Sequence, residues 1–269
     1  MSKQPKVLIL RTAGTNCDQE TAFAFQSFGA RVDLIHINKL IKKEKNLNDY
    51  HILAIPGGFT YGDDVESGRI LANEICAYLG VALRQFLKDG KLVIGICNGF
   101  QVMVKAGILP GPLDQREIMA EDYAQKTTLT NNVSGKFEDR WVHLKVNDKS
   151  VWTKGLKPSI YLPVAHAEGN FVARNFDVMN KLDHNGQIAF RYCSKSGTKP
   201  NYPENPNGSF DDVAGITDKT GRVLGLMPHP ERHFLFTHHP SWTRLEKNGE
   251  YGDGAQIFKN GVEFAKENL

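Results

Sequence analysis

The chain has 269 residues, 41% hydrophobic and 23% charged, a globular composition that excludes disordered and fibrous classes and can bury roughly three quarters of its unfolded surface without metal or disulfide staples. At roughly 150 residues per domain one large or two small domains would fit, and with no repeat or linker in view residues 1–269 read as a single domain. The 33 basic and 30 acidic residues leave a net charge of only +3, which argues against a protein that coats nucleic acid or a membrane surface.

The first hundred residues alternate short apolar runs with longer amphipathic stretches, the pattern of βα units around a buried parallel sheet. Val7 to Leu10 opens as a strand, and Asp18 is placed to cap a helix with Ala22, Phe25 and Phe28 near one face and Gly29 at its end. Strands follow at Val32 to Ile37 and Ile52 to Ile55, the latter halted by Pro56-Gly57-Gly58. Glu66 to Leu87 reads as a long helix closed by Gly90, and Leu92 to Ile96 as a strand running into a helix from Asn98 to Lys105. Beyond Pro110 the texture turns β-branched and polar, with strands expected at Thr127 to Asn131, Trp141 to Val146, Gln187 to Tyr192 and Val223 to Met227. Ser194 to Ser209, with Pro200, Pro203 and Pro206, reads as a surface loop, and an amphipathic helix from Ala255 to Glu267 closes the chain. The class is therefore α/β, with a mostly parallel central sheet flanked by helices. Cys17, Cys76, Cys97 and Cys193 form no CxxC pair and no secretory signal precedes them, and the apolar run Leu92 to Val104 is broken by Asn98 and Gln101. A cytoplasmic protein without a membrane span is the expectation.

Gly95-Ile96-Cys97-Asn98-Gly99 stands where a buried strand meets a helix. This G-x-C-x-G has the form of a nucleophile elbow, whose strained turn demands small residues two before and two after the nucleophile. The helix behind Cys97 also aims free N–H groups at its sulfur and favours the thiolate. On this motif alone Cys97 is equally well read as a small buried hydrophobe. A thiolate needs a base and an orienter, and Met227-Pro228-His229-Pro230-Glu231 follows an apolar strand. Residues two apart in an extended segment share a side, so the Glu231 carboxylate can hold one imidazole nitrogen of His229 while the other faces sulfur. His229 and His233 are four apart, as in helical zinc motifs, but Pro230 and the lack of an HExxH sequence speak against a metal. Pro56-Gly57-Gly58-Phe59 can bring backbone N–H groups close to a ligand oxygen, in a turn whose peptides rotate at little steric cost, or it is an ordinary glycine turn. No Walker loop and no G-x-G-x-x-G occurs, so no nucleotide or dinucleotide cofactor is implied.

Taken together these segments resemble the class I (triad) glutamine amidotransferases, which have a flavodoxin-like fold. The wording is closest to the glutaminase components of phosphoribosylformylglycinamidine synthases. The matches are Gly14 to Asp18, Pro56 to Asp63, Gly95 to Gln101 with Asn98 after the cysteine, Pro163 to Gly169, Gly225 to Arg232 and Gly252 to Gly254. They cover nearly the whole chain in order; extra length at residues 194–209 and 232–251 touches only the surface expected to face a partner. The resemblance implies Cys97 as nucleophile, His229 as general base and then acid, Glu231 as its orienter, and the backbone N–H groups of Gly58 and Asn98 as an oxyanion hole. It implies that Gln101 touches the substrate glutamine and that His166 and Glu168 lie in the surrounding shell. No cofactor and no metal are implied. The expected partners are an ATP-dependent synthetase subunit that consumes the ammonia and a small accessory subunit. Two rivals are a related flavodoxin-like family that uses the elbow cysteine on peptides or aldehydes, against which Pro228-His229-Pro230-Glu231 argues, and an inert scaffold.

Overall fold

The computed structural model describes residues 4–120, 125–247 and 249–269. Its centre is a nine-stranded sheet in the order β2-β1-β3-β4-β11-β10-β9-β6-β7. The first five strands in that order, β2 (Arg31–His36), β1 (Lys6–Arg11), β3 (Ile52–Ile55), β4 (Leu92–Ile96) and β11 (Val223–Leu226), run parallel. β3, β4 and β11 are buried along their whole length, which is why they read as unbroken apolar runs rather than alternating ones. The sheet then continues antiparallel through β10 (Val213–Thr217), β9 (Ile188–Cys193), β6 (Glu138–Val146) and the edge strand β7 (Ser159–His166). A separate antiparallel pair is formed by β5 (Thr127–Thr130) and β8 (Asn170–Ala173).

The helices are α1 (Asp18–Gln26), α2 (Ile37–Ile41), α3 (Arg69–Glu74), α4 (Gly80–Lys88), α5 (Asn98–Lys105), α6 (Gln115–Ala120), α7 (Phe176–His184) and α8 (Ala255–Asn268). Several expectations need correction. Asp18 is the first helical residue and makes no cap; its buried carboxylate instead meets Arg11 Nε at 2.7 Å. The long helix begins at Arg69, after Gly68 in a left-handed conformation, and a π-helical stretch, Ile75–Leu79, joins α3 to α4. Arg69–Lys88 is also long and apolar enough to cross a membrane by length and composition, although Leu71, Ala72, Ile75, Leu79, Leu83 and Phe86 turn one face into the core. The proline-rich segment is exposed at its start, but Pro206, Asn207 and Ser209 are buried, with Asn207 Nδ2 donating to Tyr192 Oη at 3.0 Å.

Chain reversal sets the site. The order β2-β1-β3-β4 runs outward in both directions from the β1/β3 boundary, so the loops leaving the carboxyl ends of β1 and β3 face each other across a crevice. Residues 12–17 leave β1, 56–59 leave β3, Cys97 leaves β4 and 227–229 leave β11, all at that same edge.

Candidate active site

At the end of β4 the chain turns into α5 with Cys97 at φ 51° and ψ −107°, a strained conformation for any residue with a side chain. Neighbouring packing enforces it. A Cβ on Gly99 would run into the Ile55 carbonyl, and one on Gly95 into Met103 Sδ and the Gly99 backbone at 2.8 Å. The Cys97 N–H donates to the Leu226 carbonyl at 2.8 Å, tying the turn to β11. Cys97 is only 5% exposed. Its Sγ has its hydrogen-bond contact with the Ala165 carbonyl, at 3.6 Å.

The segment after β11 lies along the outer edge of β7. His229 N–H donates to the Pro163 carbonyl at 2.8 Å, and His233 Nδ1–H to the Tyr161 carbonyl at 2.6 Å. Three alternate carbonyls of the edge strand, Tyr161, Pro163 and Ala165, thus hold His233, His229 and Cys97 in line. A proline is compatible with β7 because an edge strand has no further strand to donate to.

His229 Nδ1–H donates to Glu231 Oε1 at 2.6 Å, with both side chains buried. The other nitrogen, Nε2, is buried without a protein partner among the described residues, as is Glu231 Oε2. Burial opposes charge on the imidazole, but the Glu231 carboxylate, together with the neighbouring Cys97 and Cys17, outweighs it and raises the His229 pKa well above the ordinary histidine value. Gly57 closes the cluster, since a Cβ there would stand 2.8 Å from His229 Cε1 and 3.4 Å from Cys97 Cβ.

Asn98 and Gln101 lie in the first turns of α5, both nearly fully buried. Asn98 Oδ1 accepts from Thr60 Oγ1 at 2.7 Å, and its Nδ2 donates to Gln101 Oε1 at 2.9 Å and Asp63 Oδ1 at 3.2 Å. Gln101 Nε2 donates to the Glu168 carbonyl at 2.6 Å. Glu168 in turn accepts from the Ser67 N–H and lies 3.9 Å from Lys105 Nζ. His166 is buried, with Nδ1 3.1 Å from Asn132 Oδ1, and burial followed by the charge of His229 brings its pKa down to about 4.

The sequence-predicted residues Cys97, His229, Glu231, Gly58, Asn98 and Gln101 therefore lie on loops and a helix meeting at one edge of the sheet. The one cluster of three metal-ligating side chains among the described residues contains His229 but not His233, whose Nδ1–H donates to the Tyr161 carbonyl. Ligand atoms of Cys17, His229 and Glu231 do lie within 4.8 Å of one another. Against a cation there, Arg232 donates to Cys17 Sγ at 3.1 Å and so already places positive charge beside the sulfur. Sequence reasoning passed over Cys17, whose Sγ is 4.0 Å from His229 Nδ1; Gly14 to Asp18 was the only signal, and nothing in its spacing relates it to residue 229.

Residues 4–265 match the family described as a CobB/CobQ-like glutamine amidotransferase domain. The chain is 47% identical over 265 residues to the phosphoribosylformylglycinamidine synthase subunit PurQ of Dehalococcoides mccartyi, covering 97% of this chain and 98% of that one. It is 44% identical to the subunit of the same name from Methanococcus maripaludis, over 97% of each chain. Among solved structures it is similar to a chain in the structure of PurLQS from Thermotoga maritima, with a TM-score of 0.71, 27% identity, and coverage of 97% of this chain and 99% of that one.

Proposed function

Since the chain belongs to the glutaminase subunits of phosphoribosylformylglycinamidine synthase, glutamine amidotransferases of purine biosynthesis, we propose that Cys97, His229 and Glu231 carry its reaction, within one glutamine amidotransferase domain. The observation that supports this is the buried 2.6 Å bond from His229 to Glu231, which leaves Nε2 unpartnered beside the strained cysteine. His229 Nε2 takes the Cys97 thiol proton as Sγ attacks the side-chain amide carbon of glutamine, forming an S–C bond as the carbonyl electron pair moves to oxygen. The Gly58 and Asn98 N–H groups receive that oxyanion, each worth about 10²- to 10³-fold in rate. His229, kept protonated by Glu231, gives its Nε2 proton to the amide nitrogen; the C–N bond breaks and ammonia leaves. Water then attacks the thioester as His229 takes its proton; the C–S bond breaks and His229 passes that proton to sulfur, which releases glutamate and restores the thiol. Gln101 borders the substrate, with one Nε2 proton left beyond its bond to Glu168. The chemistry calls for no metal and no cofactor.

Ammonia released into bulk water would be protonated and lost, so the product is passed to an ATP-dependent synthetase partner in the cytoplasm, with a small accessory subunit. The name of the similar Thermotoga maritima structure, PurLQS, supports such an assembly. A glutamine-analogue electrophile tests the reading: it labels Cys97 in preference to Cys76, the exposed thiol, and glutamine protects against it. Preferential labelling of Cys76, or faster turnover of a peptide or glyoxal than of glutamine, would overturn it.

A further inference from the structure

The segment Ala13 to Cys17 takes no part in the chemistry above, yet it is bound to the turn that would hold the oxyanion. The Gly57 carbonyl accepts from the N–H groups of Cys17 at 3.2 Å and Asn16 at 3.4 Å. Phe59 N–H donates to the Gly14 carbonyl at 2.9 Å, and Tyr61 N–H to the Ala13 carbonyl at 2.8 Å. Thr15 and Gly58 form an isolated antiparallel bridge. The bonds from Asn16 and Phe59 flank that bridge, so Thr15 and Gly58 are its non-hydrogen-bonded pair and their own N–H groups point outward from it. A trans peptide sets N–H opposite C=O. With the Gly57 carbonyl held by Asn16 and Cys17, the Gly58 N–H is turned away from the loop, and no acceptor among the described residues takes it. The expectation of a freely rotating turn is corrected accordingly: rotating this peptide requires breaking both bonds to the Gly57 carbonyl.

We infer that residues 13–17 are a positioning element that latches the Gly57–Gly58 peptide with its N–H presented to the substrate oxygen. The inference rests on the glutaminase reading and adds to it the part of the chain that orders one oxyanion donor. The fit is close at both glycines. A Cβ on Gly14, which has φ +85°, would run into the Phe59 carbonyl, and one on Gly58, at φ +144°, would meet the Gly14 carbonyl at 2.6 Å and Asn16 N at 2.8 Å. Thr15 shapes the loop from within: its Oγ1 accepts from Thr12 N–H at 3.1 Å and its N–H donates to the Thr12 carbonyl at 3.2 Å. The latch also adjoins the base, through the Cys17 thiol 4.0 Å from His229 Nδ1.

The test separates oxyanion stabilisation from the state of the thiol. Iodoacetamide alkylates sulfur by displacing iodide at a saturated carbon, so no oxyanion forms and the latch is not needed. Gly14→Ala and the milder Thr15→Val are made in the full chain. Glutamine turnover is measured with the synthetase partner, and Cys97 alkylation is read by mass spectrometry. Gly14→Ala is expected to lower kcat about 10²-fold, the worth of one donor, and Thr15→Val about five- to tenfold, with the alkylation rate within about twofold of wild type in both. Should Gly14→Ala fail to fold, Thr15→Val decides. Unchanged kcat in the folded variants, or turnover and alkylation falling together, would overturn the inference. A wild-type complex that hydrolyses no glutamine would overturn the glutaminase reading itself, and the inference with it.

Discussion

His229 and His166 lie near each other and are driven in opposite directions. Burial disfavours charge on both, but at His229 the Glu231 carboxylate and Cys97 reverse the outcome, whereas His166 has a neutral amide for its Nδ1 partner and stays uncharged. His229→Ala in the complex should cost about 10²- to 10⁴-fold in kcat, the worth of general acid–base transfer. Glu231→Gln should cost less and should move the His229 limb of the kcat–pH profile to lower pH, since it removes a charge that raises the pKa. An unmoved limb would contradict that. For stability the signs differ. His229, raised on folding, contributes stability that is complete below its unfolded value and is lost as pH rises through the folded one. His166, lowered from 6.5 to about 4, contributes stability present above 6.5 that is lost as pH falls toward 4. That separation is worth about 3 kcal/mol, so urea denaturation at pH 7 and pH 4 should show wild type losing about that much more than His166→Gln. Equal losses would contradict a buried, uncharged His166.

The elbow of β4 and α5 was legible because its constraints are local. The pattern of small residues around Cys97 follows from one strained turn, and the structure shows what each missing Cβ avoids. Gly99→Ala should destabilise the fold by at least about 2 kcal/mol, an overpacking cost, because the added methyl meets a backbone carbonyl rather than a yielding side chain. Chemical denaturation checks this, and an unchanged midpoint would contradict the packing. The buried parallel strands were equally plain from their apolar runs. β7 was not, because Pro163 interrupts its pattern and only its place at the sheet edge makes the proline tolerable. β10 carries Gly215, which pairs with Leu226 of β11, and α2 is only five residues long. In each case burial or pairing supplied by distant segments outweighs weak local preference. The same holds at the site: His229 and Glu231 sit two residues apart and could be related from spacing, but Cys17 meets His229 only through tertiary structure.

On the scale of the whole molecule, the loops from β1, β3, β4 and β11 converge at one edge of the sheet and bury what they assemble. Cys97 is 5% exposed and His229 2%. With both side chains this covered, docking of the synthetase is expected to raise kcat/KM for glutamine at least about tenfold, roughly the effect of 1.4 kcal/mol of differential contact. Equal values for the lone chain and the complex would remove the need for such coupling. In the proposed mechanism Cys97 serves only thioester chemistry, with ammonia as the product handed on. The most direct measurement compares glutamine-dependent and ammonia-dependent synthesis by the complex carrying Cys97→Ala. The first is expected to be abolished and the second to stay near the wild-type rate. Equal loss of both, or retained glutamine-dependent synthesis, would contradict it.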